Sequence, residues 1–149
     1  GFMHLSDGAA LFVHTAREWA SSIANSTCRC AALRQIHRRY RVESALPLLQ
    51  ELMTFVATVA PRQLVIKAPD APELTCDEML LLNILRAVEA NDPDLAYRIA
   101  AGTFQGSLST TLFRIARAYV GHLTDVDLTL AHTRRLRLVS TQTLQATVA

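Results

Sequence analysis

Two closely spaced cysteines are the first candidates for a chemical site in this sequence. Cys28 and Cys30 form a C-x-C motif, His37 follows seven residues later, and Cys76 is distant. A structural zinc ion needs four tetrahedral ligands, usually supplied as paired C-x-x-C or H-x-x-x-H groups. One C-x-C motif with scattered histidines does not meet that pattern. We therefore predict no metal site and expect the thiols to be free and buried.

Basic residues form two clusters that suit an anion or an acidic partner. The stretch 34–41 contains four arginines and no acid, and a second group lies near the end of the chain. Guanidinium groups pair well with carboxylates and phosphates, although a solvated helix face is the alternative interpretation of such a charge run. The candidate binding residues are Arg34, His37, Arg38, Arg39, Arg41, Arg134, Arg135 and Arg137.

An acidic segment balances these clusters. Residues 68–96 hold seven acidic residues and a single arginine, Arg86. Charges of opposite sign on one small chain can pair within the fold or between two copies of it. This segment therefore supports self-association as well as a simple internal balance.

Residues 92–120 suggest a different kind of site, a DNA-binding helix-turn-helix. The contact residues at the start of its recognition helix would be Ser107, Ser109, Thr110, Thr111 and Arg114. The connection 102–106 exceeds the usual turn of about three or four residues, however, and the second helix keeps few polar positions. An ordinary antiparallel helix pair is the alternative, and we expect no nucleic-acid partner in the leading interpretation.

No motif for catalysis or cofactor binding occurs. G-x-S-x-G, a phosphate-binding glycine-rich loop and H-E-x-x-H are all missing from the sequence. His14 lies on what we take as the polar side of the first helix, near Arg17 and Glu18, without a nucleophile at helical spacing. We predict no catalytic, cofactor-binding or metal-binding residues. An enzyme whose site is assembled from distant segments stays an alternative.

Composition places these residues in one globular domain. The chain has 149 residues, a formal net charge of +2, 50% hydrophobic and 19% charged residues, which excludes a disordered or collagen-like protein. Three cysteines are too few for a disulfide scaffold and favour a reducing cytoplasm. No uncharged apolar stretch reaches the roughly 18 residues of a membrane span.

Helical periodicity runs through most of the chain. Ser6 and Asp7 are predicted to cap a helix from about Gly8 to Ala24, and Ser44 to cap a helix that ends before Pro61. Thr75 and Glu78 form a capping box at the start of an almost wholly apolar helix. Asp92 and Pro93 start the next helix, and residues 126–138 fit a strand or a helix equally well.

These elements predict an all-α fold. We expect a single-domain bundle of five or six helices around the apolar helix at about 76–89, with an extended crossover near 63–72. The domain would cover residues 3–139, followed by a loosely held tail at 140–149. The predicted core is Phe12, Trp19, Ile36, Leu49, Leu52, Phe55, Val56, Leu81, Ile84, Leu85, Ile99, Leu112, Ile115 and Tyr119.

The leading functional hypothesis is a small cytoplasmic interaction or regulatory protein that self-associates, with a dimer favoured. It depends on the apolar helix at 76–89, the separation of basic and acidic segments, and the missing catalytic motifs. A DNA-binding regulator and an enzyme with a dispersed site are the alternatives. No cofactor is expected.

Overall fold

Six α-helices make up the part of the chain that the computed structural model describes, residues 4–104 and 106–131. The described residues contain no β-strand. The helices are α1 (Asp7–Ala24), α2 (Cys30–Arg39), α3 (Leu46–Val59), α4 (Cys76–Glu89), α5 (Pro93–Ala101) and α6 (Gly106–Asp125). The predicted all-α bundle is confirmed.

Three helices begin at the predicted capping residues. The Ser6 side chain accepts a hydrogen bond from the backbone N–H of Ala9 at the start of α1, and Asp92 caps α5 with Pro93 in the first turn. At α4 both bonds of the capping box form: Thr75 accepts from the Glu78 N–H, and Glu78 accepts from the Thr75 N–H.

The start of α3 differs from the prediction. Ser44 does not cap this helix; it lies in a 3₁₀ turn at Glu43–Ala45 that leads directly into α3. Its hydroxyl instead lies 2.8 Å from Nδ1 of His122 on α6. A serine in front of an apolar helix can satisfy a distant partner as well as its own backbone, and here the distant partner is used.

Helix α4 lies inside the bundle. It packs against α1, α5 and α6, while α6 also packs against α3. Most of its apolar residues are therefore core residues, and Met79, Leu80 and Val88 are half-buried against that core. The predicted core is buried except at Trp19, Phe55 and Ile99, which are half-buried. The buried positions of α4 include Leu81, Leu82, Ile84, Leu85 and Ala87.

Apart from the short turns between helices, two segments of the described chain are neither helix nor strand. The first, which we call the crossover, comprises residues 60–75 and is extended as predicted. The second, the 126–131 segment, covers the start of the region that fitted a strand or a helix, and it is neither. Residues 132–149, with the predicted tail and Arg134, Arg135 and Arg137, lie outside the described residues.

No helix in the described part of the chain combines the length and apolar character needed to cross a membrane.

Candidate ligand pocket beside Trp19

Two adjacent carboxylates at the start of α4 hold the crossover in place. Asp77 accepts hydrogen bonds from the Val65 N–H at 2.7 Å and from both terminal nitrogens of Arg62 at 2.9 and 2.7 Å. Glu78 accepts from the Lys67 N–H at 3.2 Å. An extended segment needs such partners for its backbone groups because it has no helix or sheet to satisfy them.

A buried arginine from α1 completes this arrangement. Arg17 donates to both carboxylate oxygens of Glu78, at 2.7 and 3.0 Å, and to the carbonyls of Ala71 and Glu73 at 2.7 and 2.8 Å. The side chain of Arg17 is fully buried and that of Glu78 is 3% exposed. The bidentate pair thus ties α1, α4 and the crossover together.

The pKa values of both carboxyls are lowered. The guanidinium of Arg62 lowers the pKa of Asp77, against a smaller opposing effect of burial, and the Val65 N–H adds to the lowering. For Glu78, burial acts to raise the pKa, but the hydrogen bonds from Arg17, Thr75 and Lys67 together outweigh it. Both groups are therefore held as carboxylates at neutral pH.

Held in this way, the crossover forms a half-open pocket of about 440 Å³ with α1 and α3. The volume lies in the range of small-molecule sites, roughly 300–1,000 Å³. Ile23 at the end of α1 is 63% exposed, so the apolar face of α1 continues beyond the core to the rim of this pocket. The apolar lining is Trp19, Ala20, Ile23, Ala24, Met53, Val56, Ala57, Ala60, Leu64, Ile66 and Ala68.

Two cations line the same pocket, and they differ in their partners. Arg62 is neutralised by Asp77. Lys67, the only lysine of the chain, forms no ion pair with a carboxylate of the described residues. Within the described part of the chain, the pocket therefore combines apolar walls with one cation, Lys67, that is not paired with a carboxylate.

The predicted basic cluster at 34–41, on α2 and the turn after it, is only partly a surface. Arg34, Arg38, Arg39 and Arg41 are exposed. His37 is fully buried and its Nδ1 lies 3.0 Å from the Leu33 carbonyl oxygen, so it is not part of that surface. Burial lowers the pKa of His37, which favours the neutral imidazole.

The residues predicted for DNA recognition do not form one exposed surface. Ser109 is buried, while Thr110 and Arg114 are exposed and Thr111 is half-buried. Thr111 and Arg114 line a second depression of about 500 Å³ that α6 forms with α3. The side chain of Ser107 is not among those described.

Two expectations about single residues are wrong. All three cysteines are free, as predicted, but they are exposed rather than buried. The side of α1 near His14 is not a polar surface, because Arg17 and Thr15 are fully buried and Glu18 is 9% exposed. In the part of the chain that is described, no three His, Cys, Asp or Glu side chains are grouped to hold a metal ion.

The pocket was missed from sequence because its parts come from three separate segments. Helical spacing predicts Trp19 as a core residue, and Lys67 lies in the predicted crossover without a predicted role. One signal was present: the stripe of α1 extends to Ile23, one turn beyond Trp19.

No protein-family model, curated protein or solved structure matches this chain.

Proposed function

We propose that the protein binds an amphipathic small molecule, an aliphatic chain with a carboxylate head group, in the pocket beside Trp19. The observation that carries this proposal is the combination of an apolar cavity of about 440 Å³ with the cation of Lys67 in its lining. Burial of an aliphatic chain supplies the binding free energy, about 0.8 kcal/mol per methylene. The carboxylate then pairs with the one pocket cation that Asp77 does not neutralise.

The chain provides its own probe for this proposal. Trp19 is the only tryptophan and lies in the pocket lining, so its fluorescence reports on occupancy. Titration with hexanoate, octanoate and decanoate below their micelle concentrations should give saturable changes. Affinity should rise about fourfold per methylene, which is the equivalent of about 0.8 kcal/mol.

Three variants separate the parts of this proposal. Lys67→Met should weaken decanoate binding about three- to tenfold and leave decanol binding unchanged, because only the carboxylate pairs with the ammonium. Ala57→Phe should block both ligands by filling the cavity. Arg117→Met removes an exposed cation of α6 outside the pocket lining and should bind like the wild type. Binding that survives Ala57→Phe, or no saturable signal with any chain length, would refute the proposal.

A second candidate function, self-association, is supported by the distribution of charge. Four ion pairs occur among the described residues: Arg17–Glu78, Arg29–Glu18, Arg38–Glu43 and Arg62–Asp77. None of them joins the basic stretch 29–41 to the acidic stretch 68–96. We propose that the exposed arginines of α2 pair with the acidic stretch of a second copy, giving a dimer in the cytoplasm. The exposed acidic residues available are Asp70, Glu73, Asp92 and Asp94.

Sedimentation at low and high salt tests this second proposal. The dimer should form at low ionic strength and dissociate in 1 M salt, where the Debye length falls to about 3 Å. The double variant Arg34→Glu and Arg39→Glu should be monomeric, whereas Arg117→Glu, a charge reversal on α6, should not change the association. A wild type that stays monomeric at high protein concentration in low salt contradicts the proposal.

A further inference from the structure

The turn between α1 and α2 brings two thiols together. The Sγ atoms of Cys28 and Cys30 are 2.9 Å apart, and both residues are exposed. A disulfide bond is about 2.05 Å long, so a relative movement of roughly 1 Å would join the two sulfurs. Their exposure leaves them open to small reagents from solution.

This turn is fastened on both sides. Arg29, which lies between the two cysteines, donates to a carboxylate oxygen of Glu18 on α1 at 2.8 Å. The Arg29 carbonyl accepts from the Leu33 N–H of α2 at 3.0 Å, and the Thr27 N–H donates to the Ser22 carbonyl at 3.0 Å. The closeness of the sulfurs is therefore supported by the fold as well as by their spacing in sequence.

The two thiols are chemically different. The hydrogen bond with the Cys30 thiol lowers the pKa of Cys28, and the Cys30 N–H and the charge of Arg34 act in the same direction. The same hydrogen bond and the charge of a Cys28 thiolate raise the pKa of Cys30. Because the thiolate is the nucleophile, Cys28 is suited to attack first and Cys30 to act second.

We propose that Cys28 and Cys30 form a redox-active dithiol that exchanges with low-molecular-weight disulfides such as oxidised glutathione. The Cys28 thiolate attacks one sulfur of the small disulfide; its S–S bond breaks and one glutathione thiolate leaves and takes up a proton. Cys30 then loses its proton and attacks Sγ of Cys28, which releases the second glutathione. The two protein thiols are oxidised to one disulfide, and one oxidised glutathione is reduced to two thiols.

The resulting disulfide closes a very small loop, so we infer that it is easily reduced. Exposed or strained disulfides have more oxidising potentials than buried structural ones and serve as labile or regulatory bonds. This site is independent of the pocket beside Trp19, since neither cysteine is part of its lining.

Trypsin cleavage makes the test direct, because Arg29 lies between the two cysteines. The folded protein is incubated with oxidised glutathione, quenched in acid, alkylated and digested. Peptides 18–29 and 30–34 should be recovered joined by a disulfide, without bound glutathione, and should separate after dithiothreitol. Cys30→Ser should stop at a stable glutathione adduct on Cys28.

Two controls separate the fold from simple proximity in sequence. Cys76, an exposed thiol that is also the first residue of a helix, should form at most a glutathione adduct, and Cys76→Ser should leave the linked peptides unchanged. Joining in the native protein should be about tenfold faster than in urea. Glutathione adducts without linked peptides, disulfide-linked dimers instead, or equal rates in native and unfolded protein would overturn the proposal.

Discussion

The crossover and the 126–131 segment both lack helix and strand, and α4 holds both of them with charged side chains, but at opposite ends and in different ways. At the start of α4, Asp77 and Glu78 hold the crossover together with Arg17 of α1 and with Arg62 of the crossover itself. At its end, Glu89 accepts directly from the N–H groups of Leu130 and Ala131, at 2.7 and 3.0 Å.

The consequences for packing differ as well. The 126–131 segment places the fully buried Leu130 in the core, and its Thr129 carbonyl accepts from the Gly8 N–H of α1. The crossover instead leaves a cavity between itself and the helices. Both segments are held by hydrogen bonds between their backbone groups and charged side chains. Only the 126–131 segment places a fully buried side chain in the core, whereas Leu64 and Ile66 of the crossover are half-buried beside the pocket.

The largest loss of stability is predicted for the buried ion pair that holds the crossover, Arg17–Glu78. Arg17→Met leaves the carboxylate of Glu78 buried without its cation, so the free energy of unfolding should fall by about 3–5 kcal/mol. Urea denaturation measures this loss. The pocket beside Trp19 should lose decanoate binding in the same variant, because the crossover forms one of its walls.

Arg38→Met is the matched control for this variant. The pair of Arg38 with Glu43 spans 3.7 Å, and its side chains are 70% and 60% exposed, so its removal should change stability by less than about 1 kcal/mol. Equal losses in the two variants would contradict the role given to the buried pair.

The next largest loss of stability is predicted for a substitution at Gly8, which contacts the 126–131 segment. A Cβ atom at this position would lie 2.5 Å from the Thr129 carbonyl oxygen, a backbone atom that cannot move alone. Gly8→Ala should therefore lower the free energy of unfolding by about 1–3 kcal/mol. Decanoate affinity should stay at the wild-type value, because the segment takes no part in the pocket.

The same glycine-to-alanine substitution at Gly121 of α6 should have the opposite effect on stability. A Cβ there meets nothing within 4 Å, so Gly121→Ala should stabilise the protein by about 0.5–1 kcal/mol through the better helix propensity of alanine. If both alanine variants were equally stable, the close contact between α1 and the 126–131 segment would be disproved.

Local signals predicted the helices well because their causes are local. The Thr75–Glu78 capping box and the Asp92–Pro93 start depend on residues within one turn of each other, and both are confirmed. The crossover was also predicted, since two prolines follow Lys67 closely and no second strand could pair with it.

The candidate site could not be predicted in the same way, because its contacts are distant in sequence. Arg17 and Glu78 are 61 residues apart, and spacing within α1 made Arg17 look like part of a polar surface. Glu78 was recognised only in its local role as a cap. The thiol pair was visible as a C-x-C motif, but the exposure of both cysteines follows from the turn geometry and not from their residue type.

The smallest effect is predicted for Arg62, the more exposed of the two ion-paired arginines that hold the crossover. The Arg62 side chain is 55% exposed, so Arg62→Gln should cost less stability than Arg17→Met, and its loss should disappear in 1 M salt while that of Arg17→Met persists. Because Arg62 lowers the pKa of Asp77 below its ordinary 3.8, the stabilisation is fully present above about pH 4 and is lost as the pH falls through the lowered value. Urea titrations of the wild type and Arg62→Gln should therefore differ at pH 6, and the difference should shrink as the pH falls through the lowered pKa of Asp77. A difference that is constant with pH would show that Arg62 does not stabilise the crossover through the charge of Asp77.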